Sequence, residues 1–151
     1  MNNAPAVREA SLNRCPQCGD DIAVELADSL KDFSCPHCHR PLWFVWRRVG
    51  NVVVLTFLPG LLSGAESIDR RDELGPVIGD GARVLVNLSH MEFISSVFLG
   101  MLVGLFRKVR MANGTLKICC VRSVSIEAFR VTKLDQIFTL CADEAIALSS
   151  F

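Results

Sequence analysis

An α/β sheet with helices packed on it, preceded by a small cysteine-held module, is the architecture this sequence predicts. Three observations predict it. Two Cys-x-x-Cys pairs, Cys15/Cys18 and Cys35/Cys38, stand sixteen residues apart near the start of the chain. From Leu42 onward, short runs rich in β-branched residues alternate with helical segments of roughly 10–15 residues, the order of strands joined by crossover helices. Half of the 151 residues are hydrophobic and 21% are charged, which is enough apolar material for a packed core.

Taken in order, residues 1–13 are polar and mixed in charge and read as a flexible lead. Residues 14–41 hold the paired cysteines, and residues 42–151 form the α/β domain. Residues 42–46 (Leu-Trp-Phe-Val-Trp) read as a strand, 47–51 as a turn, and 52–58 as a second strand, ended by Pro59-Gly60. Residues 65–78 read as a helix with apolar Ile68, Leu74, Val77 and Ile78, weakened at Gly75-Pro76. Gly79-Asp80-Gly81 is a turn and 83–88 a short strand. Ser95 or Ser96 caps a long helix that runs to about Met111 and closes at Asn113-Gly114. Residues 115–121 are a strand, 123–132 a helix, 137–140 a last strand and 143–149 a final helix.

Charge narrows the function classes. Sixteen basic residues balance sixteen acidic ones, six of each up to Arg48 and ten of each after it. No block carries the positive excess of a protein that grips phosphate backbones, so no nucleic-acid partner is expected. The first residues lack an apolar stretch of the secretory kind. The longest apolar runs, 52–62 and 97–106, fall short of the ~20 residues of a membrane span. A cytoplasmic protein with no membrane contact is expected.

The cysteine pairs carry the most specific chemistry. A Cys-x-x-Cys turn points two sulfurs into one concavity, and two such knuckles supply the four thiolates that zinc prefers in structural sites. The sixteen-residue gap lies inside the window of about 15–20 residues for this motif. Cys15, Cys18, Cys35 and Cys38 are therefore the expected ligands of a structural zinc ion. With all four positions filled, no site is left for catalysis. The knuckles also resemble the iron site of rubredoxins, but that family has a longer gap and an aromatic core. His37 and His39 are read as solvated or outer residues, and Cys119, Cys120 and Cys141 as ordinary buried thiols.

The last hundred residues or so resemble the STAS domain, the fold of bacterial anti-sigma factor antagonists. The resemblance is strongest over Val84-Leu-Val-Asn-Leu-Ser89-His-Met-Glu-Phe93-Ile-Ser-Ser-Val-Phe-Leu-Gly100-Met-Leu. There the family has an apolar strand, Asp-Leu-Ser, a hydrophobic pair, then Asp-Ser-Ser-Gly-Leu-Gly opening a helix. Asn113-Gly-Thr-Leu-Lys-Ile118, Leu134-Asp-Gln-Ile-Phe138 and Asp143-Glu-Ala-Ile-Ala147 resemble the later family motifs in order. The resemblance implies a STAS-like sheet and a non-enzymatic regulator. It implies an anti-sigma factor or related switch-protein kinase as partner, and phosphorylation at Ser96. The alternative reading of Ser95 and Ser96 is a plain helix cap. The sequence departs from the pattern at Ser95, Asn87 and Ser63, each where the family has a carboxylate, and at Phe98, where it has glycine.

Along the helix the apolar residues cover a wider arc than the ~100° a core-facing stripe needs. Gly100 and Gly104 share one edge, each at a cost of up to ~1 kcal/mol in helix propensity. Either the helix is well buried, or another chain packs there. Ser95, Val97, Gly100, Met101 and Gly104 are the expected partner-binding residues. Two other functions compete: a scaffold subunit of a signalling complex without a phosphoswitch, and a zinc-ribbon adaptor for nucleic acid or polymerase. No P-loop, dinucleotide fingerprint or nucleophile elbow supports an enzyme.

Overall fold

The computed structural model describes residues 13–22, 34–58, 74–75 and 78–151. Strands β1 (Asn13–Arg14), β2 (Asp21–Ile22), β3 (Phe44–Val49), β4 (Val52–Phe57), β5 (Arg83–Asn87), β6 (Thr115–Cys119) and β7 (Thr139–Cys141) form one seven-stranded sheet. Its order is β2-β1-β3-β4-β5-β6-β7. The first four strands pair antiparallel, and β4 through β7 pair in parallel. Helices α1 (Ser96–Met111), α2 (Ser123–Val131) and α3 (Glu144–Ser149) follow β5, β6 and β7, and Leu134–Gln136 forms a 3-10 turn.

Strand chemistry explains the middle of the sheet. β4 is buried along its whole length, as expected of an apolar run covered on both faces. Val53, Leu55 and Phe57 alternate into the main core with Val84, Val86, Leu116 and Ile118. Helices α1 and α2 close this face through Phe98, Leu102, Leu105 and Phe129. Val52, Val54 and Leu85 point the other way and meet Ala147 and Leu148 of α3. Between β3 and β4, Gly50 takes φ 61°, and Val49 pairs with Val52 to close the turn Gly50-Asn51.

Several expectations shift at the edges. β3 extends through Arg47, Arg48 and Val49, which the sequence assigned to a turn, because these residues pair fully with Val54, Val53 and Val52. The last strand begins at Thr139, after the 3-10 turn takes Leu134–Gln136. The helix expected over 65–78 lies largely outside the described residues. So do Ser63 and most of the flexible lead.

α1 begins as read, and the structure chooses between the two serines. Ser95 is the N-cap, with φ −83° and ψ 164°, and its Oγ accepts from the Phe98 N–H at 3.1 Å. Lys108 and Arg110 sit in the last turn, where the helix dipole favours positive charge. Gly114 follows under tight packing: a Cβ there would lie 2.5 Å from the Ala82 carbonyl oxygen.

Candidate metal centre and helix-terminal surface

The two cysteine knuckles are copies of one local structure. Gly19 N–H donates to the Cys15 carbonyl at 3.0 Å, and His39 N–H donates to the Cys35 carbonyl at 2.9 Å. Cys15 N–H donates to the Asp20 carbonyl and Cys35 N–H to the Arg40 carbonyl, both at 3.0 Å. Gly19 has φ 82° and His39 has φ 63°, so His39 fills the left-handed position that glycine occupies in the first knuckle. In each turn two backbone N–H groups point at the first sulfur. Gln17 and Cys18 reach Cys15 Sγ at 3.3 and 3.4 Å; His37 and Cys38 reach Cys35 Sγ at 3.4 and 3.5 Å.

The knuckles face each other and bring all four sulfurs within 4.8 Å of one another. Cys15 Sγ lies 3.7 Å from Cys38 Sγ, and Cys18 Sγ lies 3.7 Å from Cys35 Sγ. A tetrahedron with metal–sulfur bonds of about 2.3 Å has edges of about 3.8 Å, so the donor set fits a four-coordinate thiophilic ion. The thiols are also electrostatically coupled. Burial pushes the Cys35 thiol up, but backbone N–H groups of Cys38 and His37 and the neighbouring sulfurs outweigh it and take it down to about 7. At Cys18 a backbone hydrogen bond from Asp20 lowers the thiol, and burial with the other three cysteines overrides it, to about 12. Four thiolates at this spacing repel unless a cation sits between them.

This module is built into the sheet. Arg14 pairs with Trp46 across β1 and β3, and its guanidinium lies 5.9 Å from the Trp46 ring centre. Cys15 and Cys35 are fully buried in a cluster with Ile22, Leu42, Val45 and Leu58, so apolar residues of the α/β domain form the floor of the thiol site. Ser34 and Pro41 form an isolated bridge that closes the second knuckle. Neither the β1–β3 pairing nor the shared cluster was expected from sequence. The histidines stay outside the donor set, and His37 Nδ1 lies 3.7 Å from Asp20 Oδ2 in solvent.

At the far end of β5 stands a polar network that sequence reasoning missed. Asn87 Nδ2 donates to Glu144 Oε2 at 2.8 Å, and Asn87 Oδ1 accepts from Ser89 N–H at 2.9 Å. Glu144 also pairs with Arg47 of β3. One carboxylate on α3 thus joins β3 and β5. Residues 57 and 97 positions apart leave no periodic signal in sequence.

The residues expected at the helix surface divide. Ser96 is exposed at the first position of α1, and Val97 is 37% exposed. Gly100 is exposed and faces open space, and Gly104 is half-buried. Ser95 spends its hydroxyl on the cap. Met101 is a correction: it is buried in the main core at 3% exposure and offers no surface to a partner. Phe98 also turns inward, its ring edge-on to Phe57 at 5.4 Å, so its bulk does not cover Ser96. The wide apolar arc has an internal explanation, since Phe106 packs edge-on against Phe138 at 5.2 Å. Phe93, 78% exposed, is an apolar surface residue the sequence did not single out.

Among the described residues, no helix is long and apolar enough to cross a membrane. A mixed sheet with helices on both faces, preceded by a cluster of four cysteines that could hold a metal ion, defines the class of fold. The chain belongs to the STAS domain family, whose model matches residues 45–147. Solved structures agree in fold. One is an anti-sigma-factor antagonist (STAS) domain protein from Planctomyces limnophilus, 19% identical, with TM-score 0.61 over 71% of this chain and 96% of that one. Another is an anti-sigma factor antagonist from Mycobacterium paratuberculosis, 21% identical, with TM-score 0.62 over 78% of this chain and 97% of that one. The murine solute carrier 26 family member A9 anion transporter is also similar, 11% identical, with TM-score 0.59 over 96% of this chain and 23% of that one. No curated protein matches the chain in sequence.

Proposed function

We propose that this chain is a non-enzymatic regulatory protein that docks a partner protein with the N-terminal end of α1. Its partner is an anti-sigma factor or a related switch-protein kinase. The reading rests on one observation above all: Ser96 is exposed at the first position of a capped helix, beside exposed Phe93 and Val97 and open Gly100. The resemblance of residues 84–102 to the family motif and the fold of the Mycobacterium paratuberculosis antagonist support the choice of partner.

Phosphate on Ser96 supplies the switch. The first turn of α1 carries no acidic residue, so a dianion there meets free backbone N–H groups and the favourable end of the helix dipole. The same charge in the middle of an apolar contact costs desolvation and repels an acidic partner surface. The four cysteines hold a structural zinc ion that sets the edge of the sheet and supplies no chemistry to a substrate. Incubation with the cognate kinase and nucleotide, followed by intact-mass measurement, should add about 80 Da to wild type and nothing to Ser96→Ala. An unchanged mass removes the switch and favours the scaffold reading. That second reading has one observation of its own: residue 87 is an asparagine whose side chain is committed to Glu144 and Ser89, so it offers no carboxylate of its own to orient the serine.

A further inference from the structure

Three cysteines remain outside the metal centre, and two of them are sequence neighbours. Side chains of adjacent residues in a strand point to opposite faces, which keeps neighbouring thiols apart. Here β6 ends at Cys119, and Cys120 takes φ 64°, a left-handed value that residues with a Cβ rarely adopt. The kink swings the second side chain round to the first, and the two Sγ atoms lie in contact at 3.5 Å. Cys119 is fully buried and Cys120 is partly exposed. The Cys120 residue is therefore partly exposed to solvent, and Cys119 lies buried beside it.

We propose that Cys119 and Cys120 are an oxidation site that closes reversibly to a vicinal disulfide, with Cys120 as the thiol that meets a hydroperoxide. The Cys120 thiolate attacks the peroxide, the O–O bond breaks, and a sulfenic acid forms as the other oxygen leaves with the proton, as water from hydrogen peroxide or as an alcohol from an organic hydroperoxide. The Cys119 sulfur then attacks the Cys120 sulfur, its proton leaves with the sulfenic oxygen as water, and the S–S bond closes. Two thiols are oxidised by two electrons, and one hydroperoxide is reduced.

The surroundings suit these roles. The side-chain contact with Cys119 draws the Cys120 thiol below its usual range; burial and the Glu144 and Asp143 carboxylates oppose it, while a backbone hydrogen bond from Glu144 assists. The same contact with Cys120, together with burial, pushes Cys119 up and keeps it a thiol until it is needed. A partly exposed, activated cysteine beside a resolving one is the pattern of redox-responsive sites. The site also touches the loop before α1, since Leu88 N–H donates to the Cys119 carbonyl at 3.1 Å.

Trypsin reads the outcome directly, because Lys117 and Arg122 flank the pair and release Ile118–Arg122 as one peptide. The metal-loaded full chain is treated with hydrogen peroxide, alkylated under denaturing conditions and digested. The expected product is that peptide without alkyl groups and about 2 Da lighter than the dithiol, returned to the doubly alkylated form by prior reduction. In Cys120→Ser the peptide should keep an alkylatable Cys119. A doubly alkylated wild-type peptide, a peptide cross-linked through Cys141, or oxidation to acids without S–S closure would overturn the assignment.

Discussion

Asn87 stands where the family motif has an aspartate, and its carboxamide does work that a carboxylate cannot. Its nitrogen faces the Glu144 carboxylate at 2.8 Å while its oxygen holds the Ser89 N–H. Asn87→Asp should keep the second bond and turn the first into a repulsion between two largely buried acids, costing about 1–3 kcal/mol. Combining Asn87→Asp with Glu144→Gln should recover most of that loss in denaturant midpoints. Additive losses would show that the two residues are not coupled. The sequence identified the departure at 87 but not its partner, since Glu144, itself paired with Arg47, reaches it only through the folded sheet. At Met101, wheel position alone misplaced the side chain, because the sheet and the Phe106–Phe138 contact together bury a wider arc than one face.

Among the elements, the cysteine module was legible as chemistry and illegible as architecture. Two Cys-x-x-Cys pairs at ribbon spacing predict a four-sulfur cluster, and the structure brings the four sulfurs together. Strands of two residues carry no periodicity, so nothing in β1 announced its pairing with β3. The middle strands were read because a run buried on both faces looks apolar throughout. The purified chain should hold about one zinc ion, and Cys15→Ser should release it. Metal bound a thousandfold above its dissociation constant contributes on the order of 4 kcal/mol to stability. Chelation should therefore lower the melting temperature. It should speed hydrogen exchange along β3 and at Leu58, whose cluster the metal supports, while β4, β5 and β6 stay protected by the separate main core. Uniform loss of protection across the sheet, or stoichiometric iron in place of zinc, would contradict this account.

For the whole molecule, the parallel core presents one helix end with an exposed serine, open glycine and exposed apolar residues, and the docking claim rests there. Ser96→Asp should weaken partner binding without unfolding, because a carboxylate at the first helical position is favoured by ~0.3–1 kcal/mol from the helix dipole. Ser96→Ala should keep the binding state. The most direct test is affinity capture from the native cell with quantitative mass spectrometry. It would compare the wild type with Gly100→Arg, which fills the open space at α1, and Gln136→Arg, an exposed control outside that helix. The account predicts that a switch-protein kinase is recovered with wild type and Gln136→Arg, and falls at least about tenfold with Gly100→Arg, the equivalent of ~1.4 kcal/mol. Equal recovery of the same partner with all three folded proteins would place the interface elsewhere and contradict the central claim.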